Sequence, residues 1–127
     1  MRGASAIGAI ANENPGAPLR VFVVWEPVLW SDALRPSDRS MARKLPDERA
    51  LHYWDPSKSL SAEILRASWT RKYAVRGGPL GVVWDWVALY PAGTRWEDAF
   101  PEPAVQGFPV VDAEDRVRAW VSAANSR

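Results

Sequence analysis

The chain has no cysteine and a single histidine, His52. The first absence excludes disulfides, thiolate catalysis and cysteine-ligated zinc or iron–sulfur centres. The second excludes multi-histidine metal sites and leaves carboxylate sites open. No apolar run approaches the ~20 residues that a membrane-spanning helix needs. Charge of one sign is also lacking, because Lys+Arg 16 against Asp+Glu 15 leaves a net charge of +1. Such a balance offers no field that would gather nucleic acid or an anionic membrane. Lysine is scarce, with only Lys44, Lys58 and Lys72 among the basic residues. Arginine bias with abundant alanine fits a GC-rich bacterial coding bias. Two motifs are missing as well. No G-x-S-x-G elbow surrounds a serine, and Gly77-Gly78-Pro79-Leu80-Gly81 lacks the Gly-Lys-Ser/Thr ending of a phosphate loop.

What is present is a chain of 127 residues, 47% hydrophobic, with Trp 8 and Pro 11. That length suits one domain with its own core, and the composition excludes intrinsic disorder. Residues 1–18 read as a flexible arm, since their apolar positions are mostly Gly and Ala and end at Asn12-Glu13-Asn14-Pro15-Gly16. The same segment carries one arginine before small apolar residues, but that apolar region is short and no convincing A-x-A cleavage site follows it. Cytoplasm is therefore the default compartment, with export left open. Residues 19–127 read as a single α/β domain.

Leu19 to Trp25 (LRVFVVW) is apolar on consecutive positions, the pattern of a strand covered on both faces. Ser37 is placed to cap a helix running to Lys44 and stopped by Pro46. Ala50 to Trp54 (ALHYW) reads as a second strand, and Ser57 or Ser59 opens a helix to about Lys72. Gly81 to Tyr90 (GVVWDWVALY) reads as a third strand. Val110-Val111 reads as a short edge strand. Asp112 caps a last helix whose Val117, Trp120, Val121 and Ala124 form one stripe. The resulting order, β-α-β-α-β-(β)-α, predicts an α/β or α+β three-layer sandwich: a central mixed sheet of about four strands with helices on both faces.

An acid follows tryptophan three times, in Trp25-Glu26-Pro27, Trp54-Asp55-Pro56 and Trp84-Asp85-Trp86, at spacings of 29 and 30 residues. A period near 30 is that of a βα unit. Ligands of open α/β sheets sit beyond the carboxyl ends of parallel strands. If the first two strands are parallel neighbours, Glu26 and Asp55 emerge on one edge, where two carboxylates could hold a divalent cation or divide into acid and base. The structural alternative has each acid capping its own turn and each tryptophan filling the core. Asp85 lies inside an apolar strand, so it must be solvated, paired or functional. His52 could assist as a general base or serve structurally. Eight tryptophans could also form an exposed platform or an oligomer interface.

Val21-Phe22-Val23-Val24-Trp25-Glu26-Pro27-Val28-Leu29-Trp30-Ser31-Asp32, leading through Pro36 into a helix, resembles the strand, turn and helix start of thioredoxin-like domains. The order of elements over residues 19–125 is similar to theirs too. In that family the turn carries paired cysteines; here it holds none, so thiol–disulfide exchange does not carry over. The resemblance implies a redox-inactive binding or scaffold module for a protein or small ligand, without a cofactor. Its binding edge would comprise Trp25, Glu26, Trp30, Asp32 and Asp55. The alternative is a hydrolase or isomerase-like enzyme, metal-assisted or not, built on Glu26, Asp55 and Asp85 with His52.

Overall fold

Burial of small side chains organises the first half of the molecule. A computed structural model describes residues 2–29 and 34–126. Its helices are α1 (Arg2–Glu13), α2 (Asp38–Lys44), α3 (Ser59–Arg66) and α4 (Val110–Asn125), and its strands are β1 (Val21–Trp25), β2 (Ala50–Trp54), β3 (Val87–Leu89) and β4 (Val105–Gly107). The architecture is mixed α/β. The described strands form two separate two-stranded sheets, β1–β2 parallel and β3–β4 antiparallel. One central sheet of four strands, with helices on both faces, is not what they build.

The expected arm over residues 1–18 is instead a helix for most of its length. Gly3, Ala6, Ile10 and Ala11 are buried along α1, and Ile10 packs with Ala113, Val117 and Val121 of α4. Small residues let two helices approach closely, so a stretch that looks weakly hydrophobic still buries a full face. The partner helix lies about a hundred residues downstream, which is why the local pattern reads as unpinned. Glu13 adds an ion pair with Arg118 at 2.8 Å.

Strands β1 and β2 run in register, from Val21 beside Ala50 to Trp25 beside Trp54. Their connection carries α2, capped as its sequence predicts: Ser37 Oγ accepts from Ser40 N at 3.2 Å. Burial on both faces of β1 does not occur. Phe22 is 61% exposed, Tyr53 49% and Leu51 41%, and the register puts all three on one side.

Three later elements depart from their predicted bounds. Helix α3 stops at Arg66 because Ala67 turns extended, at ψ 137°; the chain resumes as a 3-10 turn over Ser68–Arg71 that buries Trp69. The strand expected over Gly81–Tyr90 survives only as β3, because Asp85 adopts a left-handed φ of 52° that no ladder accommodates. Val110-Val111 opens α4 and is no strand, with Pro109 rather than Asp112 at the cap position.

Trp69 centres a second core with Ile64 and Ala67, against which Trp86 and Phe100 pack. Its indole donates to the Phe100 carbonyl at 2.9 Å and stacks on Trp86 with ring centres 6.2 Å apart. At the junction of β4 and α4, a Cβ on Gly107 would lie 2.2 Å from the Ala113 Cβ; only glycine fits there.

Arg49 joins α1 to the parallel sheet. Its guanidinium pairs with Asp47 at 2.7 Å and donates to the carbonyls of Ala11 at 2.8 Å and Asn14 at 2.9 Å. That pairing pulls the Asp47 carboxyl down to about 2 from 3.8. Arg49→Met should lower stability by about 1–3 kcal/mol in urea unfolding, since it leaves a nearly buried carboxylate and the carbonyls at the end of α1 without their donor. Asp47 stabilises the fold above its unfolded pKa of 3.8, and that contribution fades as pH falls toward about 2. Unfolding midpoints of Arg49→Met should therefore lose this acid limb. A limb identical to that of the unmodified chain would show that the pair contributes nothing.

Candidate functional site

The parallel register delivers Glu26 and Asp55 to the same end of the β1–β2 sheet, each directly after a paired tryptophan. Asp55 N donates to the Trp25 carbonyl at 2.8 Å, so the ladder extends into the acid-bearing turn. Both carboxylates then meet the start of α3. Asp55 Oδ2 accepts from Leu60 N at 2.9 Å, and Glu26 Oε1 accepts from Ser61 N at 3.1 Å. The Ser61 hydroxyl donates to the other Glu26 oxygen and accepts from Val83 N at 2.8 Å.

The N-cap position of α3 is Lys58, in a left-handed conformation and without a side-chain cap bond. Neither Ser57 nor Ser59 caps this helix; the two acids satisfy its first-turn amides instead, one of them from a different strand. Capping and juxtaposition therefore coexist in one arrangement. Glu26 is half-buried, and burial raises its carboxyl above the ordinary range; the Ser61 hydrogen bonds oppose the rise, while the Asp55 charge and a hydrogen bond with Asp55 add to it. A carboxyl in this position keeps its proton to higher pH than an exposed glutamate does.

Asp85 belongs elsewhere. A Cβ on Gly3 would lie 2.5 Å from its Oδ1 and 3.0 Å from the Val110 Cβ. The carboxylate thus sits against the first turn of α1, where the helix dipole favours negative charge. The triad of Glu26, Asp55 and Asp85 does not assemble, because only Asp55 acts on Glu26.

His52 is also committed. Trp25 Nε1 donates to its Nδ1 at 3.1 Å, and its Nε2 lies 3.4 Å from the Leu45 carbonyl. An indole only donates, so Nδ1 must accept and Nε2 carries the hydrogen. The rings stack at 6.1 Å. This histidine anchors Trp25 on the inner face of the sheet and does not reach toward the acids as an assisting base. Trp30 and Asp32, the remaining members of the expected edge, lie outside the described residues.

Ser61 is the participant that sequence reasoning misses. It is 2% exposed and touches three segments, yet a serine in the first turn of a helix carries no signal beyond capping. Among the described residues no group of three or more His, Asp or Glu side chains is arranged to hold a metal ion. None of their helices is long and apolar enough to cross a membrane. No protein-family model matches the chain, and no curated protein or solved structure matches it either.

Glu26→Gln keeps an acceptor for Ser61 and turns an amide donor toward Asp55. A raised carboxyl pKa means that folding holds the proton, so ionising Glu26 costs stability as pH rises through its folded value. The thermal midpoint of Glu26→Gln, relative to the unmodified chain, should climb between pH 4 and 7. A difference that is flat across that range would mean that Glu26 titrates as an ordinary surface acid.

Proposed function

We propose that this chain is a redox-inactive binding module of thioredoxin-like plan, which engages a polypeptide through the outer face of β1–β2 and the edge beside it. The observation that carries the reading is the exposure of Phe22, Leu51 and Tyr53 side by side on a parallel pair. Parallel strands are normally covered on both faces, and two strands alone are marginal without further cover. Phe22 and Tyr53 already contact each other, with ring centres 6.3 Å apart, so they present one contiguous apolar surface. Leu29 and Leu34, further along the chain, are 58% and 85% exposed. Trp25, Glu26 and Asp55 lie at the carboxyl end of the same strands. The chain order β1-α2-β2-α3-β3-β4-α4 is similar to the order on which the thioredoxin-like reading rests, and the absence of cysteine from the chain makes thiol exchange chemically inaccessible.

The character of the surface supports a polypeptide partner. Apolar and aromatic side chains on a sheet face suit another protein's apolar strand or helix face, from a second copy or a different chain. A photo-cross-linking residue at position 22, introduced in the native cell, should capture one defined polypeptide, and Leu51→Asp should abolish the capture. Sedimentation velocity then distinguishes a second copy from a different protein. Equal capture with and without Leu51→Asp, or no capture, would overturn the reading.

A second reading is favoured by the juxtaposed acids: Glu26 and Asp55 as the acid–base pair of a hydrolase or isomerase-like enzyme. It requires reaction with a small substrate to fall by at least about a hundredfold in Asp55→Asn, with folding retained by circular dichroism. Turnover unchanged in that variant would end it.

A further inference from the structure

A second concave site lies in the other half of the molecule. It is a cavity of about 130 Å³ between the turn after Trp69, β4 and the start of α4, and Tyr73, Arg76, Val83, Trp86, Gln106 and Arg116 are among its walls. No residue of β1 or β2 contributes to it. Its lining is one-sided in charge, because two arginines and, among the described residues, no acid belong to it.

Neither arginine is neutralised from outside. Among the described residues the ion pairs involve Arg35, Arg49, Arg66, Lys72 and Arg118, never Arg76 or Arg116. Arg116 Nη2 instead donates to the Gln106 carbonyl at 3.2 Å, which holds the guanidinium at the wall and leaves its charge unpaired. The Gln106 side chain supplies more donors. Its Oε1 accepts from Trp86 Nε1 at 3.0 Å, so that oxygen is occupied and the amide N–H groups remain uncommitted. Glu102 is bonded to the Tyr73 hydroxyl at 2.7 Å and is already paired with Lys72 at 2.8 Å.

The remaining lining is apolar or aromatic: Val75, Val83, Trp86 and the exposed Phe108. A cavity of about 150 Å³ accepts a single benzene ring, so this one has room for a ring-sized apolar body, with a head group at its open side. Guanidinium groups recognise carboxylates through paired N–H donors, and an apolar wall selects the body behind the head group.

We infer that this cavity binds a small organic carboxylate, its head group on Arg76, Arg116 and the Gln106 amide and its apolar body against Trp86 and Val83. The site is independent of the β1–β2 face, and its success or failure leaves the polypeptide-binding reading where it stands.

Benzoate, the uncharged benzamide and inorganic phosphate serve as probes in a ¹H–¹⁵N NMR titration of the full chain. Benzoate should shift the Trp86 indole and Gln106 amide signals saturably and weaken with added salt. Benzamide and phosphate should each bind at least about tenfold more weakly, one lacking the charge and the other the apolar body. Arg76 is exposed and enters no ion pair among the described residues, so Arg76→Gln should keep the fold, seen as an unchanged spectrum elsewhere, and weaken benzoate about tenfold. Arg116→Lys should weaken it as well, since an ammonium cannot reproduce the paired donors. The inference is overturned by the absence of saturable shifts with benzoate, by equal binding of benzamide or phosphate, or by an Arg76→Gln variant that binds benzoate unchanged.

Discussion

Arg49 is the constraint through which the N-terminal half of the molecule is organised. One guanidinium joins Asp47 to the carbonyls at the end of α1, while the Arg49 carbonyl receives Val21 N at 3.0 Å and begins the parallel ladder. The residue therefore sets the position of α1 and the register of β1 on β2 together. Backbone carbonyls at a helix end need partners, and a planar fork of donors serves several at once where an ammonium would serve fewer. Asp47 keeps that fork in place from two residues away and is itself nearly buried. The register in turn decides which residues emerge at the carboxyl edge of the sheet.

The same economy of contacts explains the acid pair. Glu26 and Asp55 satisfy amides at the start of α3 that its own N-cap residue leaves open. A structural duty and a chemically unusual environment are not exclusive alternatives here. Holding two carboxylates together at a helix start is tolerable because the amide dipoles and the Ser61 hydroxyl offset part of their repulsion. The cost that remains appears as a raised Glu26 carboxyl.

Apolar residues are distributed unevenly between inside and outside. Ile10, Val117 and Val121 form one core and Ile64 with Trp69 another, whereas Phe22, Leu51 and Tyr53 remain in solvent. The tryptophans divide in the same way. Trp69 is buried, Trp25 and Trp86 are held by indole hydrogen bonds, and Trp84 and Trp96 are exposed. An unbroken apolar strand such as Val21–Trp25 indicates burial by something, and the described residues leave its Phe22 exposed.

Several features were legible from local sequence. Strand β2 and the Ser37 cap of α2 match their predicted bounds, and the spacing of Trp25 and Trp54 correctly put Glu26 and Asp55 at one edge, because a βα unit has a characteristic length and proline ends a ladder. The lack of cysteine alone settles that no thiol chemistry occurs. Other features were decided by tertiary contacts. The helix of residues 2–13 depends on α4, a partner far along the chain. The shortening of the third strand to Val87–Leu89 follows Asp85 turning left-handed, and the locking of His52 depends on a cross-strand indole. Local pattern reports what a segment can form; distant residues choose its partners, since only their packing supplies the burial and the hydrogen bonds that outweigh the alternatives.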